Sequence, residues 1–523
     1  MTRASAPLVT LWKGARQLCA GRSARFGRAS KIAYVVPALG ALLARLLTGP
    51  HPIDDAYITF RYARNLAEGL GLVYNPGEWV LGTTTPVWAV LLACGYRLGA
   101  TDLPWLATAV SAICDAGSVG LLVHFALRMG WRSAGAALVG LAWAANPMSI
   151  AFATGGMETS LFVLAALAAL GLVASGASIW FAASVAGVAV LVRPEGALLV
   201  ATVFGWTWLQ QRRRAWQAAL AGSAPAVIAG ALIFWRYGSP IPNSVAAKQV
   251  AYQQAWPFEN ATALLVQAGL PGWSTYLLAV LPGALGLALA AIGFVVLVDL
   301  VRRGLLWLDK QGAPWQPFAG YGCLYLLFYV AAGLRGVRLF PWYLVPIEPF
   351  YLLGAAAGLA RLGAWRTSWI AALLVVWQLA AIDWRQPLLP NGERLGREQL
   401  LLEVGRELAA SLPVNAVVAA PEIGALGYAS SLRILDTVGL ISPVALRYYP
   451  LLPEQLVTDN AIPPELIADE RPDVVVTLDA FAQKSLLTDA AFLQAYRLER
   501  TYPAPVWQSE ALLVFRRDQT AGP

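Results

Sequence analysis

Charge is scarce in this sequence. Of 523 residues only 13% are Asp, Glu, Lys or Arg, while 58% are hydrophobic, and the mean hydropathy is +0.58. Soluble domains carry about a quarter charged residues, so a soluble globule is excluded. Histidine is scarcer still: His51 and His124 stand alone, and nothing suggests a zinc site. The four cysteines, Cys19, Cys94, Cys114 and Cys323, follow no metal-ligand spacing and stop at 323, so no disulfide framework is expected beyond it. There is no G-x-S-x-G and no Walker-type loop, and Gly424 and Gly427 stand in no G-x-G-x-x-G frame. No internal repeat or low-complexity tract is present.

What is there is a series of apolar runs, the longer ones able to cross a ~30 Å hydrocarbon layer as helices. The net charge of +8 sits largely at membrane-flanking positions, which explains it without a nucleic-acid partner. Residues 1–31 hold seven Lys or Arg and no Asp or Glu, as expected of a basic cytoplasmic tail. No small-residue cleavage site follows the first apolar run, so a signal peptide fits poorly. That run, Ile32 to Leu47, is the first expected span, with Arg45 near its outer end and able to snorkel. Val87 to Leu98 is too short to cross and is read as an interfacial helix. Charge parity then alternates the spans, with Ala134 to Ala151 crossing outward and Gln211–Arg214 a cytoplasmic turn. Thr275 to Val301 and Ser368 to Ala381 are later spans. The expectation is a polytopic α-helical membrane protein of about 11 spans over residues 32–382, N-terminus inside and C-terminus outside. From 383 to 523 charge returns, with an amphipathic helix over Glu393 to Leu412. Strand-like runs follow at Ala416–Ala420, Arg433–Leu435, Val474–Leu478 and Leu512–Phe515, predicting an extracytoplasmic α/β domain.

The first outer loop, 50–103, holds the densest chemistry. Asp54 and Asp55 are adjacent carboxylates: one can act as general base, both can share a divalent cation, or Asp can cap the helix that follows. Arg61 and Arg64 share roughly one face of that helix with Tyr57. They suit an anionic head group or interfacial anchoring. Asn75-Pro76-Gly77-Glu78 reads as a turn that puts Trp79 at the interface, and Thr83–Thr85 as a helix start before Pro86. Further on, Glu158 and the Arg193/Glu195 pair lie at span ends, where an ionisable residue is a functional candidate or a mutual ion pair. Lys248, Arg335 and Arg338 are outer cations suited to a lipid phosphate or to a salt bridge with the C-terminal domain.

The run IDDAYITFRYARNLAEGLGLVYNPGEWVLGTTTPVW, with GMET, VRPEG, PNSVAAK and LDTVGLISP downstream, resembles polyprenyl-phosphate-sugar-dependent membrane glycosyltransferases of the GT-C class. Within that class it is most similar to actinobacterial terminal arabinofuranosyltransferases and their bacterial relatives. The resemblance implies a catalytic base at Asp54 or Asp55 and inverting transfer of a sugar, arabinofuranose among the candidates. The donor is a polyprenyl phosphate sugar and the acceptor an extracytoplasmic glycan or lipid-linked hydroxyl. Asp54 is the favoured base. Lys248 and Arg338, with Arg193 or Arg335, would meet the departing phosphate. Tyr57, Asn75, Glu158, Asn243 and Tyr343 would shape the donor pocket, and residues 383–523 would bind acceptor. One departure is Gly82-Thr83-Thr84-Thr85-Pro86, where the family often has a Gly-Tyr/Phe-Thr-Ser-Pro pattern. Two other readings are a lipid-linked sugar transporter or flippase, and a non-catalytic envelope assembly protein. A transporter needs polar groups running through the spans, whereas here they gather at one side.

Overall fold

The computed structural model of the protein describes residues 28–251, 316–359, 372, 375 and 396–518, apart from 336, 338, 459 and 507. Apolar sequence makes most of the first part helical. The helices are α1 (Arg28–Thr48), α2 (Asp54–Ala67), α3 (Pro86–Arg97), α4 (Leu103–Arg128), α5 (Ser133–Ala144), α6 (Pro147–Thr154), α7 (Thr159–Ala174), α8 (Ile179–Val192), α9 (Gly196–Gln210), α10 (Arg212–Tyr237), α11 (Asn243–Ala251), α12 (Gln316–Leu334) and α13 (Glu348–Leu359). Among the described residues, α1, α4, α10 and α12 are each long and apolar enough to cross a bilayer. At 26 residues, α4 and α10 each reach about 39 Å. Ring-bearing and aliphatic side chains such as Trp216, Val227, Leu232 and Trp235 on α10 are exposed, as suits a lipid-facing helix.

The single span expected over Ala134 to Ala151 is instead α5 and α6, bent by 50°. Pro147 has no N–H to continue the ladder, and the Asn146 side chain caps α6 by accepting from the Ser149 N–H at 2.8 Å. Helices α7, α8 and α9 are apolar but only 14–16 residues long, short of the roughly 20 residues a perpendicular span needs. The expected span over Thr275–Val301 lies outside the described residues, and of Ser368–Ala381 only Ala372 and Val375 are described, both helical.

The C-terminal part is built on a five-stranded sheet; α14 (Gly396–Ser411) lies against its Tyr496–Val506 strand, and α15 (Gly424–Ser430) packs on α14 and on α2. Its strands are β1 (Val417–Ala420), β2 (Arg433–Asp436), β3 (Val474–Leu478), β4 (Tyr496–Val506) and β5 (Ser509–Arg517), in the order β2-β1-β3-β5-β4. β1 is parallel to β2 and β3, with Val418 opposite Ile434 and Val474. β5 is antiparallel to β3 and β4. Every residue of β3 is buried, the pattern of a strand covered on both faces. The strand-like runs read from sequence are strands here. β4 went unread because it is an edge strand: Arg497, Glu499, Pro503 and Pro505 belong to a strand with a free edge, where charge and proline are tolerated. The buried apolar core is continuous from Phe60 and Tyr74 in the outer loop to Ile423, Leu426 and Ile434 in the sheet domain.

Candidate active site

The two adjacent carboxylates point to different partners. The N-cap of α2 is Ile53, extended at φ −80° and ψ 162°, with no side-chain cap. The capping reading of the aspartates therefore fails: both lie in the first helical turn, where the positive helix end favours them. Consecutive helix positions are turned about 100° apart. Asp54 faces the sheet domain, its carboxylate accepting from the Gly424 N–H at 2.9 Å and the Ala425 N–H at 2.8 Å. Burial pushes its pKa up to about 6, opposed by Arg397 and by those two N–H groups. Asp55 turns the other way. Its carboxylate lies 3.9 Å from the Lys248 ammonium, with side-chain exposures of 35% and 27%, so this pair is open to a ligand.

Lys248 is carried by α11, which is fixed by its own first residue. The Asn243 N–H donates to the Leu81 carbonyl at 2.8 Å, and its side-chain amide donates to the Gly439 carbonyl at 2.5 Å. Desolvation works against the Lys248 charge, but Tyr343 and Asp55 outweigh it and hold its pKa above the ordinary lysine value. The ammonium also lies 5.3 Å from the centre of the Phe340 ring, which stacks on Trp342 at 4.5 Å and 8°.

Behind this pair lies a buried corner made by the ends of α7, α8 and α9. Arg193 sits between Glu158 at 3.2 Å and Glu195 at 3.1 Å, and faces the Phe162 and Tyr343 rings at 5.9 and 5.7 Å. The Tyr329 hydroxyl donates to Glu195. Tyr329 stacks on Tyr343 at 5.2 Å, and the Tyr325 hydroxyl donates to the Tyr343 carbonyl at 2.8 Å. With two carboxylates on it, Arg193 is already more than neutralised, which makes it a brace for Tyr343 more than a free phosphate cation.

Several residues expected in a donor pocket hold the two domains together instead. Arg61 is 1% exposed and spends its guanidinium on the carbonyls of Tyr74 (2.9 Å), Gly427 (2.7 Å) and Leu432 (2.6 Å) and on the Asn75 side chain (3.3 Å). It is therefore no head-group ligand. Asn75 exchanges two bonds with Ile434 of β2, its amide donating at 2.9 Å and its oxygen accepting at 3.1 Å. Tyr57 is buried between Phe60 and Tyr428, at ring distances of 5.6 and 5.4 Å. Arg64 donates to the Tyr428 carbonyl at 3.1 Å and the Ser431 hydroxyl at 3.0 Å. Arg335 is exposed beyond the end of α12, and Arg338 lies outside the described residues. The structure thus gathers Asp55, Lys248, Tyr343, Glu158 and Arg193, and moves Tyr57, Arg61, Asn75 and Asn243 into the scaffold.

Sequence reasoning missed Tyr325 and Tyr329. Tyr321, Tyr325 and Tyr329 recur every fourth residue on one face of α12, a spacing that marks a shared face. It also missed what Gly424 and Gly427 are for. A Cβ on Gly424 would overlap the Asp54 backbone oxygen, and one on Gly427 the Tyr74 hydroxyl.

Comparison with known proteins bears on the fold and on part of the sequence. Residues 391–519 match a family described as a domain of unknown function (DUF8728). Over 226 residues the chain is 30% identical to the terminal beta-(1->2)-arabinofuranosyltransferase of Mycobacterium tuberculosis, covering 38% of this chain and 35% of the relative. The chain thus matches about a third of that relative's length. The crystal structure of ArnT from Cupriavidus metallidurans bound to undecaprenyl phosphate superposes with a TM-score of 0.53 at 14% identity, over 94% of this chain and 99% of ArnT. Its apo form superposes with a TM-score of 0.50, also at 14% identity. At that identity the likeness speaks for the fold, which is that of ArnT.

Proposed function

We propose that this membrane protein is an inverting glycosyltransferase that moves a sugar from a polyprenyl phosphate donor to a hydroxyl of an extracytoplasmic glycan or lipid-linked acceptor. The fold likeness to a protein solved with undecaprenyl phosphate and the stretch of identity to an arabinofuranosyltransferase support the reading, and favour arabinofuranose as the sugar. The observation that carries it is the Asp55–Lys248 pair at 3.9 Å, the accessible carboxylate and cation side by side.

In this reading Asp55, and not Asp54, is the base. Asp54 is held by two backbone N–H groups and cannot approach an acceptor without releasing α15. The donor phosphate draws Lys248 away from Asp55, freeing the carboxylate to take the acceptor's hydroxyl proton. The hydroxyl oxygen then attacks the anomeric carbon from the face opposite the phosphate. The sugar–phosphate C–O bond breaks, and polyprenyl phosphate departs with its charge facing Lys248. Tyr343, braced by Arg193 and Tyr329, fixes the back of the pocket. Lys248 supplies the positive charge that a shared cation would otherwise bring to the aspartates, so the reaction is proposed to run without a divalent metal.

The test is transfer from a radiolabelled polyprenyl phosphate pentose by purified protein. Asp55→Asn should lower turnover by about 10²–10⁴-fold and Lys248→Ala by about 10²-fold, while a chelator leaves the rate unchanged. Loss in Asp54→Asn with full activity in Asp55→Asn would reverse the assignment. Loss on chelation would restore a metal to the aspartates.

A further inference from the structure

Arg45 and Asp115 form a fully buried ion pair at 2.9 Å, both 0% exposed, away from the Asp55–Lys248 pair. Such pairs are weak stabilisers: replacing both partners by apolar residues of similar size is often neutral or stabilising. Their presence in an apolar bundle calls for another reason, and their contacts supply one. In an unbroken helix the Ala144 carbonyl would accept from the N–H four residues on. The break at Asn146-Pro147 ends that ladder, and the Arg45 guanidinium donates to the Ala144 carbonyl instead. Arg45 also donates to the Ser149 hydroxyl at 2.7 Å, which donates onward to Asp115 at 3.1 Å. The pair therefore holds the break on both of its sides, at the last residue of α5 and at Ser149 in the first turn of α6.

The far end of α6 holds the aspartates. The Thr154 carbonyl accepts the His51 N–H at 2.8 Å, and the Gly155 carbonyl accepts the Ile53 N–H at 3.2 Å. Gly156, at φ +79°, lies directly under α2: an added Cβ would come within 2.7 Å of the Phe60 ring and 3.1 Å of Ala56. Its carbonyl accepts from the Trp88 indole at 3.1 Å. Arg45 closes α1 only ten positions before Asp55 in the chain, so the short linker is anchored to α6 at both ends. We infer that the buried Arg45–Asp115 pair is a positioning device for the Asp54–Asp55 turn, acting through the broken helix α5–α6.

The catalytic arm of the test rests on the proposed glycosyl transfer; the exchange arm does not. The full-length protein is compared with the double variant Arg45→Met/Asp115→Leu, which removes both charges together. Melting temperature, amide hydrogen exchange and steady-state kinetics are measured on each. The double variant is expected to melt within a few degrees of the parent. Exchange in residues 51–56 should rise about tenfold or more, while β3 (Val474–Leu478) is unchanged. Turnover should fall about 100-fold with the donor KM within about twofold of the parent. A folded double variant whose 51–56 amides exchange at the parental rate overturns the inference, as does a rise spread evenly over the chain. Should the double variant not fold, Ser149→Ala severs only the link to α6 and must give the same local exchange signature in smaller measure. Local exchange as expected, with no transfer by the parent from any polyprenyl phosphate pentose, sinks the catalytic reading alone.

Discussion

Adjacent residues of identical type have different environments here, and pH separates them. Asp54 is half-buried against α15, with its pKa pushed up to about 6 from the ordinary 3.8. Between those values the folded chain binds more protons at this site than the unfolded chain, so stability falls as pH rises through the window and levels off above it. Asp54→Asn removes the titration. The melting temperature of that variant relative to the parent should therefore climb from pH 4 to about 6 and be flat above about 7; a difference that does not vary with pH would refute the assignment. That two carboxylates lie together at a helix start was legible from IDDAY alone. Which of them stays accessible was not, because the amides that occupy Asp54 belong to Gly424 and Ala425, some 370 positions away along the chain.

At the scale of elements, the outer loop and the sheet domain meet through one short helix seated on another. α15 lies on α2 because Gly424 and Gly427 have no side chain to obstruct Asp54 and Tyr74, and the buried Arg61 then closes the contact on the Gly427 and Leu432 carbonyls. Gly424→Ala or Gly427→Ala must displace backbone or a buried tyrosine. Each should cost about 1–3 kcal/mol, read as a drop in the denaturation midpoint, while Ala429→Gly on the same helix should cost at most about 1 kcal/mol. A Gly427→Ala protein as stable as the parent would mean that the docking is not as close as described. Elements with strong local signals were legible: the short apolar helix before residue 98, the amphipathic helix at 396–411, and four of five strands. The break at Asn146-Pro147 carried a readable proline signal that the apolar run around it concealed. Arg45 illustrates the other case: near a span end it reads as a snorkelling side chain, yet it turns inward because Asp115, seventy residues on, is its partner.

For the whole molecule, the proposed mechanism puts Asp55, Lys248 and the sheet domain on the outer side of the membrane. The expectation of that orientation rests on charge parity at Gln211-Arg212-Arg213-Arg214, at the end of α10 opposite to the one that approaches the outer loop. There Arg236 stacks on Trp79 and the Tyr237 hydroxyl donates to the Leu72 carbonyl at 2.7 Å. A cysteine at position 212 should resist an impermeant label in intact cells, and one at 414, where Val414 is 91% exposed, should react; the reverse result would invert the orientation. The sequence by itself determined the solvent: scarce charge and long apolar runs point to a helical bundle in lipid, with most of the remaining charge kept out of the long apolar runs. It also marked the loop that carries the chemistry, since carboxylates are costly in such a chain. Only the tertiary structure decided which charges are available to a ligand. Arg61, Asn75 and Arg193 look as reactive as Lys248 when read in a line, and what distinguishes them is whether their hydrogen-bonding capacity is already filled by carbonyls and carboxylates that folding brings from distant parts of the chain.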